Sequence, residues 1–198
     1  MRTGLRNNTE RINQMRRTEK DNRGYSLVEL IIVIAIISII GLAAMWSIVL
    51  IFNANGRTCA NDIVGAISEC KIMTMTKGQG EVRLLIYRDG ANGDIYGEVQ
   101  LKNSSTGDWA TNNGEREKLG AKKCTVGTAD GLDDLPDSRD AAWRICFDRS
   151  TGAFKYAASA GDDENTTFGL EKIYVQGGNR RYCIKLEKLT GKQTIESY

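Results

Sequence analysis

The sequence predicts an α+β protein: a long N-terminal helix, apolar in its first half and amphipathic in its second, packed on an antiparallel β-sheet head. Three observations carry that prediction. Residues 30 to 56 run for 27 consecutive positions without a charged side chain. The apolar residues that follow return at helical spacing, and from Glu81 the apolar period shortens from about 3.6 to 2. The mean hydropathy of -0.36 therefore averages two unlike parts of the 198-residue chain. The order expected is a leader over residues 1–24, a membrane half of the helix over 25–56, an amphipathic half over 57–77 and a β-rich head over 78–198.

The first 24 residues hold seven Lys/Arg and three acids, so the net charge of +2 conceals a basic segment joined to a body of 20 basic and 22 acidic side chains. A Lys/Arg excess directly before an apolar run holds the N-terminus in the cytoplasm and sends the rest of the chain across. The run itself, LVELIIVIAIISIIGLAAMWSIVLIF, covers 26 residues from 27 to 52. About 20 suffice to cross a bilayer as a helix. A secretory signal would have an apolar core of about 7 to 15 residues followed by a small-residue cleavage site, and neither is present. The segment reads as a retained single-pass span whose first partner is membrane lipid.

Glu29 lies near the start of that run, and a carboxylate at mid-membrane costs about 2.5 to 3.5 kcal/mol, less near the interface. It belongs to the string RGYSLVEL at residues 23–30: a charged leader ending in Gly24, then aromatic Tyr25, then Glu29 four residues on. This string resembles the prepilin signal of type IV pilins and type II secretion pseudopilins. The resemblance implies that a prepilin peptidase cuts between Gly24 and Tyr25, that the new amine of Tyr25 is N-methylated, and that Glu29 meets this amine on a neighbouring subunit. Two unit charges about 4 Å apart gain roughly 4 kcal/mol at an effective dielectric near 20, enough to offset the burial. Tyr25 and Ser26 stand where relatives usually have Phe and Thr, and Trp46 stands where many have a proline.

The same resemblance implies a structural subunit, assembled with other pilin or pseudopilin subunits into an extracytoplasmic filament of a type IV pilus, type II secretion or competence system. An inner-membrane platform protein and an assembly ATPase would drive it. The odd number of cysteines and the Gly-rich head lean towards a minor component. FDRSTG (147–152) and RYCIKLEKLTGK (181–192) resemble the last strands of H-type minor pseudopilins.

Beyond the apolar run, Ala60, Ile63, Val64, Ile67, Cys70 and Met73 or Thr74 form one stripe, predicting a helix from about residue 26 to 77 that ends at Gly78 or Gly80. Gly56 and Gly65 offer places to bend. EVRLLIYRDGANGDIYGEVQL, from residue 81, predicts a hairpin turning at 89–94, and residues 102–140 read as a long irregular connection. Alternation puts Trp143, Ile145 and Phe147 inward before a turn at 150–152. Strands over 172–175 and 181–186 flank Gln176-Gly177-Gly178-Asn179, a short-hairpin signal.

No histidine is present, which removes histidine triads and HExxH zinc sites. With no convergent set of acid, base and nucleophile, no enzymatic activity and no cofactor are expected. Five cysteines lie in the part expected outside the cytoplasm, where disulfides persist. Cys59 and Cys70 share the inward stripe and read as core fillers, while a bond between Cys146 and Cys183 is one pairing that the sequence allows. No metal site is expected: close cysteine pairs are lacking, and the acidic clusters at 130–140 and 162–164 do not follow calcium-loop order and read as solvated charge. The alternative function is DNA binding by a minor pilin during transformation, through Arg180, Arg181 and Lys185 on the basic tail. Solvated charge on an edge strand explains that tract as simply.

Overall fold

A computed structural model describes residues 25–76, 81–159 and 168–197. Among these residues a helix, α1 (Leu27–Thr76), runs 50 residues without interruption and is followed by ten strands. They are β1 (Val82–Arg88), β2 (Ile95–Lys102), β3 (Trp109–Thr111), β4 (Glu117–Gly120), β5 (Thr125–Gly127), β6 (Trp143–Phe147), β7 (Phe154–Ala158), β8 (Lys172–Gly177), β9 (Arg180–Glu187) and β10 (Lys192–Ser197). This is the α+β layout expected. The chain divides into two compact units, residues 1–44 and 45–198.

In the first unit the helix is exposed throughout its described length. Leu27–Ala44 has a mean hydropathy of 2.9 and buries none of its residues within the protein. Its one hydroxyl, Ser38, donates to the Ile34 carbonyl at 2.7 Å, so the segment leaves no side-chain donor facing an apolar surrounding.

In the second unit the remainder of α1 buries Gly56, Cys59, Ala60, Ile63, Ala66, Ile67, Cys70 and Thr74. Their spacing of three and four residues makes a single stripe, the one read from sequence. Against it stand two antiparallel sheets. The first has the order β3-β2-β1-β6-β7, with β4 also paired to β2; the second has the order β10-β9-β8-β5. Both contribute to one core: Ile63 and Ile67 of the helix meet Leu84, Ile86, Trp143, Ile145 and Phe147 from the first sheet and Ile173, Val175 and Ile184 from the second. Alternation sorts β1 by face, sending Leu84 and Ile86 to this core and Leu85 and Tyr87 to a smaller cluster with Ala142.

The β1–β2 and β8–β9 hairpins fall where the turn residues predict them. Residues 102–140 differ from expectation: three short strands, β3 to β5, lie inside them. Runs of three or four residues are too short to show a period, and tertiary pairing rather than local pattern makes them strands. Buried Arg88 organises the loops that join them. Its guanidinium donates to the carbonyls of Gly93 at 2.9 Å and Cys124 at 3.0 Å and to Asp133 at 2.8 Å, tying three loops to the end of β1. The FDRSTG string is a turn held by one carboxylate: Asp148 Oδ1 accepts from the backbone N–H groups and hydroxyls of both Ser150 and Thr151.

Candidate functional site

The helix begins at a built N-cap. Ser26 lies outside the helix and its Oγ accepts from the Glu29 N–H at 3.1 Å, while the Leu30 N–H reaches the Ser26 carbonyl at 3.1 Å. Ser-x-x-Glu is the capping-box pattern, and it satisfies one of the donors that a helix start leaves without a partner. Glu29 is the acid of the first turn, where the helix dipole favours negative charge. Tyr25 is 82% exposed, two residues before the helix. An amine created at Tyr25 would therefore stand at the mouth of the helix, one turn from a carboxylate. Gly24 lies outside the described residues. The sequence carried the Ser26 signal as well, in the three-residue spacing to Glu29.

The second unit fixes the helix through a close backbone approach. A Cβ built on Gly177 would lie 2.4 Å from the Cα and N of Gly56 and 2.7 Å from the Phe52 carbonyl. Only glycine fits on either side. Gly56 therefore serves close packing, and the helix continues through it without a break. Next to it the Asn179 N–H donates to Asn53 Oδ1 at 2.9 Å, so the β8–β9 turn, with Gly178 at φ +61, sits on the helix from residue 53 onward.

The basic tract of β9 is arranged differently from a free stripe. Arg180 is exposed, but Arg181 pairs with Asp130 at 3.0 Å and Lys185 with Glu196 at 2.7 Å. Strand β9 also lies between β8 and β10, so the edge-strand reading of its charge is corrected: Lys185 meets Glu196 of neighbouring β10, and Arg181 meets Asp130 in the turn after β5. Tyr182, Ile184 and Leu186 enter the core as alternation predicts. Of the acidic cluster at 130–140, Asp133 serves Arg88 and Asp134 accepts the Thr128 N–H at 2.8 Å. Among the described residues no group of His, Cys, Asp or Glu could hold a metal ion.

All five cysteines are buried free thiols, Cys146 and Cys183 among them. Cys146 is on β6 of the first sheet, beside the Tyr156 hydroxyl, and burial pushes its thiol up to about 11. Cys183 is on β9 of the second sheet, opposite Tyr174. The two strands belong to different sheets, a separation that no local spacing announces. Cys59 and Cys124 do meet. The Cys59 thiol donates to the Cys124 sulfur, and that bond leads the causes that lower Cys124 to about 7 and raise Cys59 well above its ordinary value.

Residues 20–45 match the family described as the prokaryotic N-terminal methylation motif. The matched stretch includes Gly24, Tyr25 and Glu29 and most of the uncovered helix. A capped apolar helix, uncovered by its own chain and continuous with an α+β head, is a pilin-like arrangement. The motif supports a pilin-type N-terminus of the kind that a prepilin peptidase processes. It also fits a membrane-held N-terminus with an exposed head. Comparison with the curated proteins and with the solved structures gave no match.

Proposed function

We propose that the chain is a structural subunit of an extracytoplasmic filament, cut after Gly24, methylated on the Tyr25 amine and seated by a salt bridge from Glu29 to the amine of a neighbouring subunit. The observation that carries this reading is the methylation motif on a helix segment that its own chain leaves wholly uncovered. Eighteen residues of that hydropathy need lipid before assembly and apolar neighbouring helices after it. The filament is a type IV pilus, a type II secretion pseudopilus or a competence filament, and the subunit is a minor component, with a platform protein and an ATPase driving its extraction from the bilayer. Intact mass of the membrane-extracted protein tests the first step. It should correspond to a chain beginning at N-methylated Tyr25, and a chain retaining residues 1–24 in cells with active prepilin peptidase would refute it.

Duplex DNA is the second partner class, through Arg180, Arg181 and Lys185. The ion pairs to Asp130 and Glu196 weigh against it, because phosphate contacts would first have to displace two carboxylates. A tract making three or four phosphate contacts would show a log-log salt slope of about -3 to -4. Titration of the detergent-solubilised protein with labelled duplex at two salt concentrations should show no such binding.

A further inference from the structure

We propose that in the mature protein Cys59 and Cys124 are joined by a disulfide that fixes α1 to the β4–β5 loop. The proposal rests on the extracytoplasmic placement of the head argued above.

Cys59 and Cys124 belong to one buried cluster, and the Cys59 sulfur lies against Gly120 in the stretch that leads to Cys124. Both backbones are held in place independently of any bond between them. Cys59 precedes Ala60 and Ile63 on the buried stripe of the helix. Cys124 closes a turn in which its N–H donates to the Ala121 carbonyl at 2.9 Å, and Arg88 Nη2 holds its own carbonyl at 3.0 Å. Space for the Cys59 sulfur is provided by Gly120, where a Cβ would lie 2.6 Å from it. The bond then requires the two thiols to reach disulfide geometry by side-chain rotation.

The other cysteines are placed against bridging. Cys70 faces the core and its thiol donates to the Ile145 carbonyl at 3.9 Å, whereas Cys146, the next residue along β6, lies on the other face of that strand with Tyr156. Cys183 stands beside Tyr174, Lys172 and Lys185 on the second sheet. Three of the five therefore remain thiols, which accounts for an odd count.

Oxidation needs an external disulfide, either a protein dithiol oxidase or a small-molecule disulfide of the oxidising compartment. The lowered Cys124 thiol supplies the thiolate, which attacks that disulfide and expels one external thiol. Cys59 then gives up its proton and displaces the second external thiol. Two protons and two electrons leave with the external dithiol, and one sulfur–sulfur bond remains. A cavity of about 210 Å³ lined by Asn55, Thr58, Cys59, Asp62 and Gly120 opens beside Cys59.

The test is differential alkylation of the full-length protein from acid-quenched cells: free thiols take a light label, and thiols exposed by later reduction take a heavy one. Cys59 and Cys124 should carry the heavy label, and Cys70, Cys146 and Cys183 the light one. Cys59→Ser should move Cys124 to the light label and Cys124→Ser should do the same to Cys59. Light label on both in the unsubstituted protein overturns the bridge. A C-terminal alkaline phosphatase fusion, active only outside the cytoplasm, separates the two ways of failing. With an active fusion and light-labelled thiols the bridge falls and the filament-subunit reading stands; with an inactive fusion both fall.

Discussion

Glu29 and Glu98 show how two acids, each in an unpromising place, are used differently. Glu29 needs nothing from its own chain beyond the first turn of the helix, where it is exposed. Its expected partner belongs to another subunit. Glu29→Leu removes an unfavourable group from the span and should leave membrane insertion intact, while the protein disappears from sheared filaments because a neighbour's amine is left unpaired. Immunoblots of membrane and filament fractions read both quantities, and normal incorporation of the variant would remove the salt-bridge role. Glu98, by contrast, is satisfied within the head. Burial pushes its carboxyl up, but hydrogen bonds from Arg139, Thr111 and Gln100 outweigh that and hold it below the ordinary glutamate value. A carboxyl lowered by folding contributes stability above its unfolded value of about 4.3 and loses it as pH falls through the lower folded value. Melting temperature should therefore drop more steeply below about pH 4 in the natural protein than in Glu98→Gln. At pH 7 that variant should be less stable by about 1 to 3 kcal/mol. Parallel pH curves for the two proteins would show that the cluster does not titrate with folding.

At the scale of elements, the helix and the β8–β9 hairpin meet without side chains between them. Gly177→Ala would press a methyl group into the Gly56 backbone, which cannot turn aside as a flexible side chain could. The expected loss is about 1 to 3 kcal/mol, read as a lower melting temperature of the solubilised protein, with the helical signal in circular dichroism retained. An unchanged melting temperature would mean that the hairpin does not sit on the helix at this point. Further along, Ile67 is fully buried where both sheets converge. Ile67→Ala leaves a cavity in a core shared by three layers and should cost about 2 to 5 kcal/mol, against less than about 0.5 kcal/mol for the exposed Ile72→Ala.

For the whole molecule, one unbroken helix serves two environments. Its stretch from 27 to 44 is apolar and buries none of its residues in the protein, and its stretch within the second unit packs on the protein's own sheets. Charge neutralisation follows the same division. The basic excess lies in the first 24 residues, and Arg181 and Lys185 of β9 face Asp130 and Glu196.

Much of this was legible in the sequence because it depends on local order. The apolar helix is a matter of length and hydropathy, and the methylation motif is a short continuous stretch. The buried helix stripe and the two main hairpins follow from period and turn chemistry. What only the tertiary structure decided depends on chain segments far apart in sequence. Strands β3 to β5 are too short to show a period and exist by pairing. Gly56 reads as a bend until Gly177 is seen against it. Arg181 and Lys185 read as a free basic stripe until Asp130 and Glu196 are placed beside them. The cysteines show the limit most plainly. Alternation could say which way Cys146 and Cys183 point within a strand, but not that their strands enter different sheets. Nor could helical spacing reveal that Cys59 faces a turn at Cys124, since thiol contact is set by the packing of the helix on the loop and not by the order of residues along either.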